Sequence, residues 1–468
     1  MSRLRLWSVI VTVVCVTFLT ALDNNVVNVA LPEMQARLGL SDTGVQWVAT
    51  SYPMALAGSL LGAGQLTDAK GRRWSLLTGV AVFTLSSAGC ALSSTGLTLV
   101  CFRSLQGIGA AFVLPASLAV MTHDIPPRMR TAVFGAATAT LACALACGPL
   151  ISGAVTQHLG WEWIFLMNIP LGGFAFLVST VAVPGPAGRR RIHPRPAAIA
   201  VPGRPIAWAC LLLTSLVSCL VQGPAHGFAS PVVVLCEAAA AVSALALCRS
   251  GIGRHPALKE LMQKRAYSGG LVTQLLWGLG VTGVSFYTSQ FLQNGFQLSP
   301  TRAGLTFTPV FSALFLATPF VAALARRWGE ARVCAAGLLM VALGLLMVAL
   351  GSGHRGPAGM FPGLVAVGVG SSLALPLTTR ALEASPGHLS GFAAGLFGAA
   401  RELSGVFGIV LVGAVMTSVQ HWCLARHVTR HDASLTAYQA GLSAAAALVA
   451  AGAPVALWAL RRPVRDAP

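Results

Sequence analysis

Apolar stretches of about twenty residues recur from one end of the 468-residue chain to the other, separated by short polar or basic turns. That is the length a helix needs to cross a hydrocarbon core of ~30 Å. Within each stretch the apolar residues occupy every face, without the alternation of a membrane barrel strand. Lipid offers the backbone no hydrogen bonds, so these segments predict helices, which satisfy their peptide groups internally. Fourteen such spans can be drawn, from 7–27 to 440–461, with the second at 44–66 and the sixth at 163–183. An all-α integral membrane protein with about 14 transmembrane helices is expected.

Charge gives these spans a direction. Every second loop is basic, as in Lys70-Gly71-Arg72-Arg73, Arg128 with Arg130, Arg189-Arg190-Arg191 and Arg326-Arg327. Arg37, Arg302, Arg355, Arg426 and Arg430 fall on the opposite side, and Arg103 and Arg401 fall inside spans. Positively charged loops stay in the cytoplasm, which predicts a multi-pass protein of the cell membrane with both termini cytoplasmic. The start of the chain, Ser2 to Trp7 and then a long apolar run, imitates a signal peptide. It lacks a small-residue cleavage site, so it is read as a retained first span.

The loops also divide the chain. Residues 1–183 form an expected six-helix bundle, and 184–205 a cytoplasmic linker rich in Pro and Arg. Residues 206–249 hold two accessory helices, 250–267 a cytoplasmic loop, 268–461 a second six-helix bundle and 462–468 a tail. Two spans into each bundle comes a short basic turn with a glycine, Asp68 to Arg73 in the first and Arg326 to Arg332 in the second. Paired bundles of this kind hold their site near the bilayer midplane.

Composition narrows the function classes. The chain is 55% hydrophobic and 9% charged, against about a quarter charged in a soluble protein. A net charge of +18 raises the question of nucleic acid. The one-sided placement and the lack of aromatic–basic interleaving point to anionic lipid instead. Ten of the eleven cysteines fall in expected spans and Cys423 in a loop, with no C-x-x-C pair, so no disulfide framework is expected. A membrane-embedded enzyme is the competing class, but no G-x-S-x-G, H-E-x-x-H or P-loop occurs. The histidines all fall in expected loops, which leaves the spans without an imidazole base. Gly278 to Gly283 matches G-x-G-x-x-G inside an apolar span rather than after a strand, so it is an accident of composition. With no nucleotide site and no cofactor, the energy source is expected to be a gradient. One proton moved through ~100 mV supplies about 2.3 kcal/mol.

The chemistry rests on a few polar residues. Asp23 lies late in the first span, in Leu22-Asp23-Asn24-Asn25-Val26-Val27-Asn28. A carboxyl group at membrane depth is costly and is a natural proton carrier; the alternative is an interfacial acid that bonds its Asn neighbours. Arg103, in the fourth span, needs a partner and keeps its proton. Either it holds a carboxylate such as Asp23, or it snorkels. Gly64, Asp68, Gly71, Arg72 and Arg73 form a candidate cytoplasmic gate, with plain lipid anchoring as the alternative. Gly148, Pro149 and Gly153 in the fifth span form a candidate hinge, since proline frees a carbonyl and small residues permit close packing. Candidate cavity positions are Asn24, Asn28, Tyr52, Gln106, Tyr287, Gln290, Gln293, Arg401 and Glu402, and Glu237 is a secondary carboxylate. Packing accounts for several of these equally well.

Taken motif by motif, the sequence resembles the fourteen-span drug:proton antiporters of the major facilitator superfamily. LDNNVVNVALP from Leu22 is similar to their first-span signature, and GQLTDAKGRR from Gly64 to the superfamily's cytoplasmic-loop motif. RSLQGIGAA from Arg103 resembles the fourth-span motif, CGPLISG from Cys147 the antiporter motif, and Gly160 to Pro170 the start of the sixth span. The resemblance implies that Asp23 couples protons, that Arg103 assists the transfer, that the loop residues gate and that the fifth-span glycines and Pro149 hinge. Three departures stand out: Ala69 and Glu162 each replace a usual basic residue, and Arg326 replaces the acid of the second loop.

The expected function is proton-coupled export of small amphipathic compounds: antibiotics, drugs or the cell's own secondary metabolite. Proton-linked or facilitated uptake of a solute is the alternative. The expected partners are a small-molecule substrate, protons and the lipid bilayer, with no nucleic acid, no metal and a monomeric state.

Overall fold

The computed structural model describes residues 3–183, 203–354, 356–386 and 389–460. Most of the expected linker and all of the expected tail lie outside the described residues. The chain forms α1 (Arg3–Leu38), α2 (Asp42–Lys70), α3 (Arg72–Ala91), α4 (Gly96–His123), α5 (Pro127–Leu159), α6 (Trp163–Leu166) and α7 (Asn168–Ala182). Next come α8 (Gly203–His226), α9 (Pro231–Arg249), α10 (Pro256–Gln263), α11 (Arg265–Gln290), α12 (Pro300–Thr306) and α13 (Thr308–Trp328). The last are α14 (Glu330–His354), α15 (Phe361–Leu373), α16 (Leu375–Glu383), α17 (Ser390–Ala425) and α18 (Arg430–Leu460). No strand occurs among the described residues.

Thirteen segments are long and apolar enough to cross a membrane among the described residues. The expected count of fourteen differs at one place. α2, 29 residues long, occupies the position of span 44–66 but carries buried Gln46, Thr50, Ser51 and Tyr52, which dilute its apolar content. Helices also outrun their expected spans. α1 has 36 residues, about 54 Å at 1.5 Å per residue. For the same reason Cys423, expected in a loop, lies buried within α17, and His158 and His421 lie in helices.

Three spans are broken, each for a visible reason. α7, α13 and α16 carry Pro170, Pro309 and Pro376 in their first turns. Proline has no N–H to give the preceding turn, yet its fixed φ suits a helix start. The expected loop 250–267 also holds structure. Its helix α10 buries Ala257 and Leu261, which are four residues apart and so share one face.

By internal contacts the chain divides into two compact units, Met1–Ser250 with Thr288–Thr308, and Gly251–Tyr287 with Pro309–Pro468. In the first, α3 and α2 pack on α4, α1 packs on α5 and α7, and α12 packs on α5. The accessory helices α8 and α9 pair with each other, and α8 rests on α2. In the second unit α14 packs on α15 and α18, and α17 on α18. There the glycines of the accidental motif serve packing: Gly278 lies against Ser404 and Gly283 against the Gly408 carbonyl.

Candidate functional site

The core of the first unit brings its polar residues together by helix register. α1 and α4 run antiparallel: Val9, Val13 and Val16 share a buried cluster with Val113, Ala116 and Val120. One turn further Leu19 meets Ala110 and Ala111, with Phe83 of α3 and Tyr52 of α2. Continuing that register places Asp23 opposite Gln106 and Arg103, beside Ser87 of α3. All four are buried.

Asp23 is fully enclosed, and both of its oxygens are used. Arg103 Nη1 donates to Oδ2 at 2.5 Å. Gln106 Nε2 donates to Oδ1 at 2.8 Å and Asn168 Nδ2 to the same oxygen at 2.6 Å. Both amides also donate to Ser87 Oγ, at 2.6 Å from Gln106 and 3.3 Å from Asn168. Arg103 closes the ring by donating to Gln106 Oε1 at 2.7 Å. A buried carboxylate and guanidinium are tolerable only when paired and hydrogen-bonded in this way.

Aromatic rings line the cation. The Arg103 guanidinium carbon lies 4.5 Å from the Tyr52 ring centroid and 5.8 Å from that of Phe165. Two polar atoms in this shell have no partner, Arg103 Nε and Asn168 Oδ1. Sequence reasoning singled out Asp23, Arg103, Gln106 and Tyr52, which the structure brings to one place. It assigned no role to Ser87 or Asn168. The one sequence cue near Asn168 is Pro170 two residues on, which suits a helix start.

At the other end of α2, Gly71 has a φ of 95°, a conformation an L side chain rarely adopts. The turn lets Arg72 make two 2.6 Å bonds to the carboxylate of Asp124, at the end of α4. Arg73 donates to the Val183 carbonyl at 2.8 Å. Asp68 is exposed, and Gly64 has open space around it. In the second unit the corresponding glycine, Gly329, has a φ of 84°, and the residue after it is Glu330, which pairs with Arg380 of α16. The acid missing from the second loop motif at Arg326 is thus replaced by one placed after the glycine, with the charges of the pair reversed.

The fifth-span residues form a packing seam rather than a polar site. Gly153 lies against the backbone of Pro300 and Thr301, and Gly304 of α12 lies against the Pro149 carbonyl. Gly148 lies against Asn25. Ser152 donates to the Val26 carbonyl, joining α5 to α1.

A match to the Major Facilitator Superfamily runs over residues 13–409. The chain belongs to the Major Facilitator Superfamily. It is 31% identical to the multidrug resistance protein Stp of Mycobacterium tuberculosis, over 92% of this chain and 79% of that protein. It is 30% identical to the tetracenomycin C resistance and export protein of Streptomyces glaucescens, over 89% of this chain and 77% of that one. Among solved structures it superposes on an auto-inhibited POT family peptide transporter with a TM-score of 0.69, at 16% identity over 99% of this chain and 98% of that one. The major facilitator fold and a multi-pass membrane transporter, not an enzyme, follow from these relationships.

The other candidate residues of this superfamily member are scattered. Asn24 and Asn28 are half-buried on α1. Gln293 donates to the Val29 carbonyl at 2.9 Å. In the second unit Tyr287 donates to the Ile409 carbonyl at 2.9 Å, which accounts for it structurally. Arg401 and Glu402 bond each other at 3.0 Å, the arginine half exposed. Gln290 is half-buried, and Glu237 is exposed on α9. No group of three His, Cys, Asp or Glu among the described residues can hold a metal ion.

Proposed function

We propose that this transporter exports small amphipathic compounds across the cell membrane in exchange for protons, with both termini in the cytoplasm and no cofactor. The observation that carries the reading is the enclosed Asp23–Arg103 pair, with Gln106 and Asn168 donating to Asp23 and also to Ser87. In this state both carboxyl oxygens of Asp23 accept hydrogen bonds, one of them from Arg103. A proton arriving on Asp23 removes the charge that holds Arg103, and helices α1, α4 and α7 lose their common anchor. Protonation and helix rearrangement are thereby the same event, as antiport requires. The aromatic, largely apolar surroundings suit amphipathic substrates with few charges, and the named relatives act in resistance and export.

The loop residues Gly64, Asp68, Gly71, Arg72 and Arg73 act as the cytoplasmic gate in this scheme. The Gly148–Pro149–Gly153 seam acts as the hinge, with backbone approaching backbone so that one helix can roll on the other. In this scheme the transporter works as a monomer.

The test is substrate accumulation in everted membrane vesicles energised by a proton gradient. Wild-type vesicles are expected to accumulate an amphipathic dye and to release it when the gradient is collapsed. Asp23→Asn vesicles are expected to bind the dye but not to concentrate it. Concentrative transport by Asp23→Asn that ignores the gradient would overturn the reading, and accumulation only in right-side-out vesicles would replace export with uptake.

A further inference from the structure

Ten residues beyond Asp23 on α1, Glu33 lines a cavity of about 370 Å³ with Arg37, Thr156, Gln157, His158 and Gly160. Arg37 holds two carboxylates there: Glu33 at 2.9 Å, one helical turn back, and Glu162 at 3.5 Å, from the turn before α6. Gly160 permits the approach, with a φ of 103° and so little room that a Cβ would stand 2.7 Å from Glu162 Oε2. One wall carries an unanswered polar group. Thr156 is only 3% exposed, yet its hydroxyl has no hydrogen-bond partner. It does not take even the carbonyl one turn earlier that helical threonines commonly use.

From this rim a series of contacts leads to the ion pair. The backbone N–H of Trp161 bonds the Glu33 carboxylate. Its indole is 2% exposed with an unpartnered Nε1–H, and it meets Phe165 edge-on at 6.2 Å. Phe165 in turn faces the guanidinium of Arg103. The unpartnered Thr156 hydroxyl and Trp161 N–H are where water can bind on the way.

We propose that this cavity is the outer proton entrance of the transporter, with Glu33 and Glu162 collecting protons and Trp161 controlling their passage to Asp23. The proposal rests on the reading of Asp23 as the proton carrier, and with the termini inside, the cavity faces outward. A hydronium ion gives its proton to the Glu33 carboxylate. Glu33 then releases it to cavity water, and Asp23 Oδ2 accepts it. Each transfer breaks one O–H bond and forms one, and Arg103 keeps its charge throughout. The groups that face Glu33 are Arg37 on its own helix, Glu162 from the α5–α6 turn and His158 at the end of α5; α12 contributes the uncharged Pro300.

Everted vesicles place this face in the lumen, so dye transport can be followed against luminal pH with the outer pH fixed. The double variant Glu33→Gln/Glu162→Gln is expected to need about tenfold more luminal protons for half-maximal transport. Arg37→Gln breaks the same ion pairs but leaves both carboxylates, so it is expected to move the half-maximum the other way. Were the cluster only a structural clasp, both variants would change alike, and that result overturns the proposal. A double variant with the wild-type luminal profile overturns it too. Trp161→Ala is expected to leak protons without substrate, and tightly sealed vesicles would remove Trp161 from the route. Asp23→Asn, run in parallel, separates the two readings. Coupling that survives it defeats the carrier assignment itself, whereas coupling lost there and unaltered luminal profiles defeat only the entrance.

Discussion

The Arg103–Asp23 and Arg401–Glu402 pairs both lie on membrane-spanning helices, and they differ in almost every respect. Arg103 and Asp23 come from different helices, are 1% and 0% exposed, and are hydrogen-bonded by the amides of Gln106 and Asn168. Arg401 and Glu402 are neighbours on α17, with side chains 50% and 8% exposed. Consecutive helical residues do not face each other, so that pair is a local bond with one end open. The contrast shows that proximity in sequence is no guide to a working charge pair. Convergence of several helices on one carboxyl group is what sets the first pair apart.

That contrast can be tested by removing partners one at a time. Arg103→Ala should have the largest effect, because it strands Asp23 in a buried site. A loss of about 3–5 kcal/mol is expected, read as a collapse of thermal stability in detergent together with loss of transport. Replacing both charges, as Asp23→Asn with Arg103→Gln, should recover most of that stability while transport stays absent. If stability does not recover, the pair is not the source of the loss. Asn168→Ala removes one donor from the buried Asp23 carboxyl group and is expected to cost about 1–3 kcal/mol, with a changed pH profile of transport. Arg401→Gln should be the mildest, within about 1 kcal/mol and with efflux retained. A loss there as large as that for Arg103 would erase the distinction between the pairs.

The helices were legible because lipid imposes a simple rule, and long apolar runs obey it with little ambiguity. The place where the count differs, α2, is a helix that buries Gln46, Thr50 and Ser51 among its apolar residues and sets the Tyr52 ring against Arg103. Asp23 and Arg103 announced themselves by their cost in a membrane. Ser87 and Asn168 did not, because a serine or an asparagine in a span carries no such penalty and gains meaning only from what stands opposite. The breaks at Met167, Phe307 and Ala374 were hidden for a related reason: a proline in an apolar run leaves its hydropathy almost unchanged. The reversed charge order at Glu330 escaped a comparison that looked for the acid before the glycine rather than after it.

That reversal limits how the two repeats can exchange sequence. Transplanting the first turn, Gly71-Arg72, onto Gly329-Glu330 would set an arginine against Arg380, and the reciprocal graft would set a glutamate against Asp124. Exchanging the two turns would therefore yield like-charge collisions at both grafts. Any engineered chimera of the halves has to carry each turn together with its distant partner.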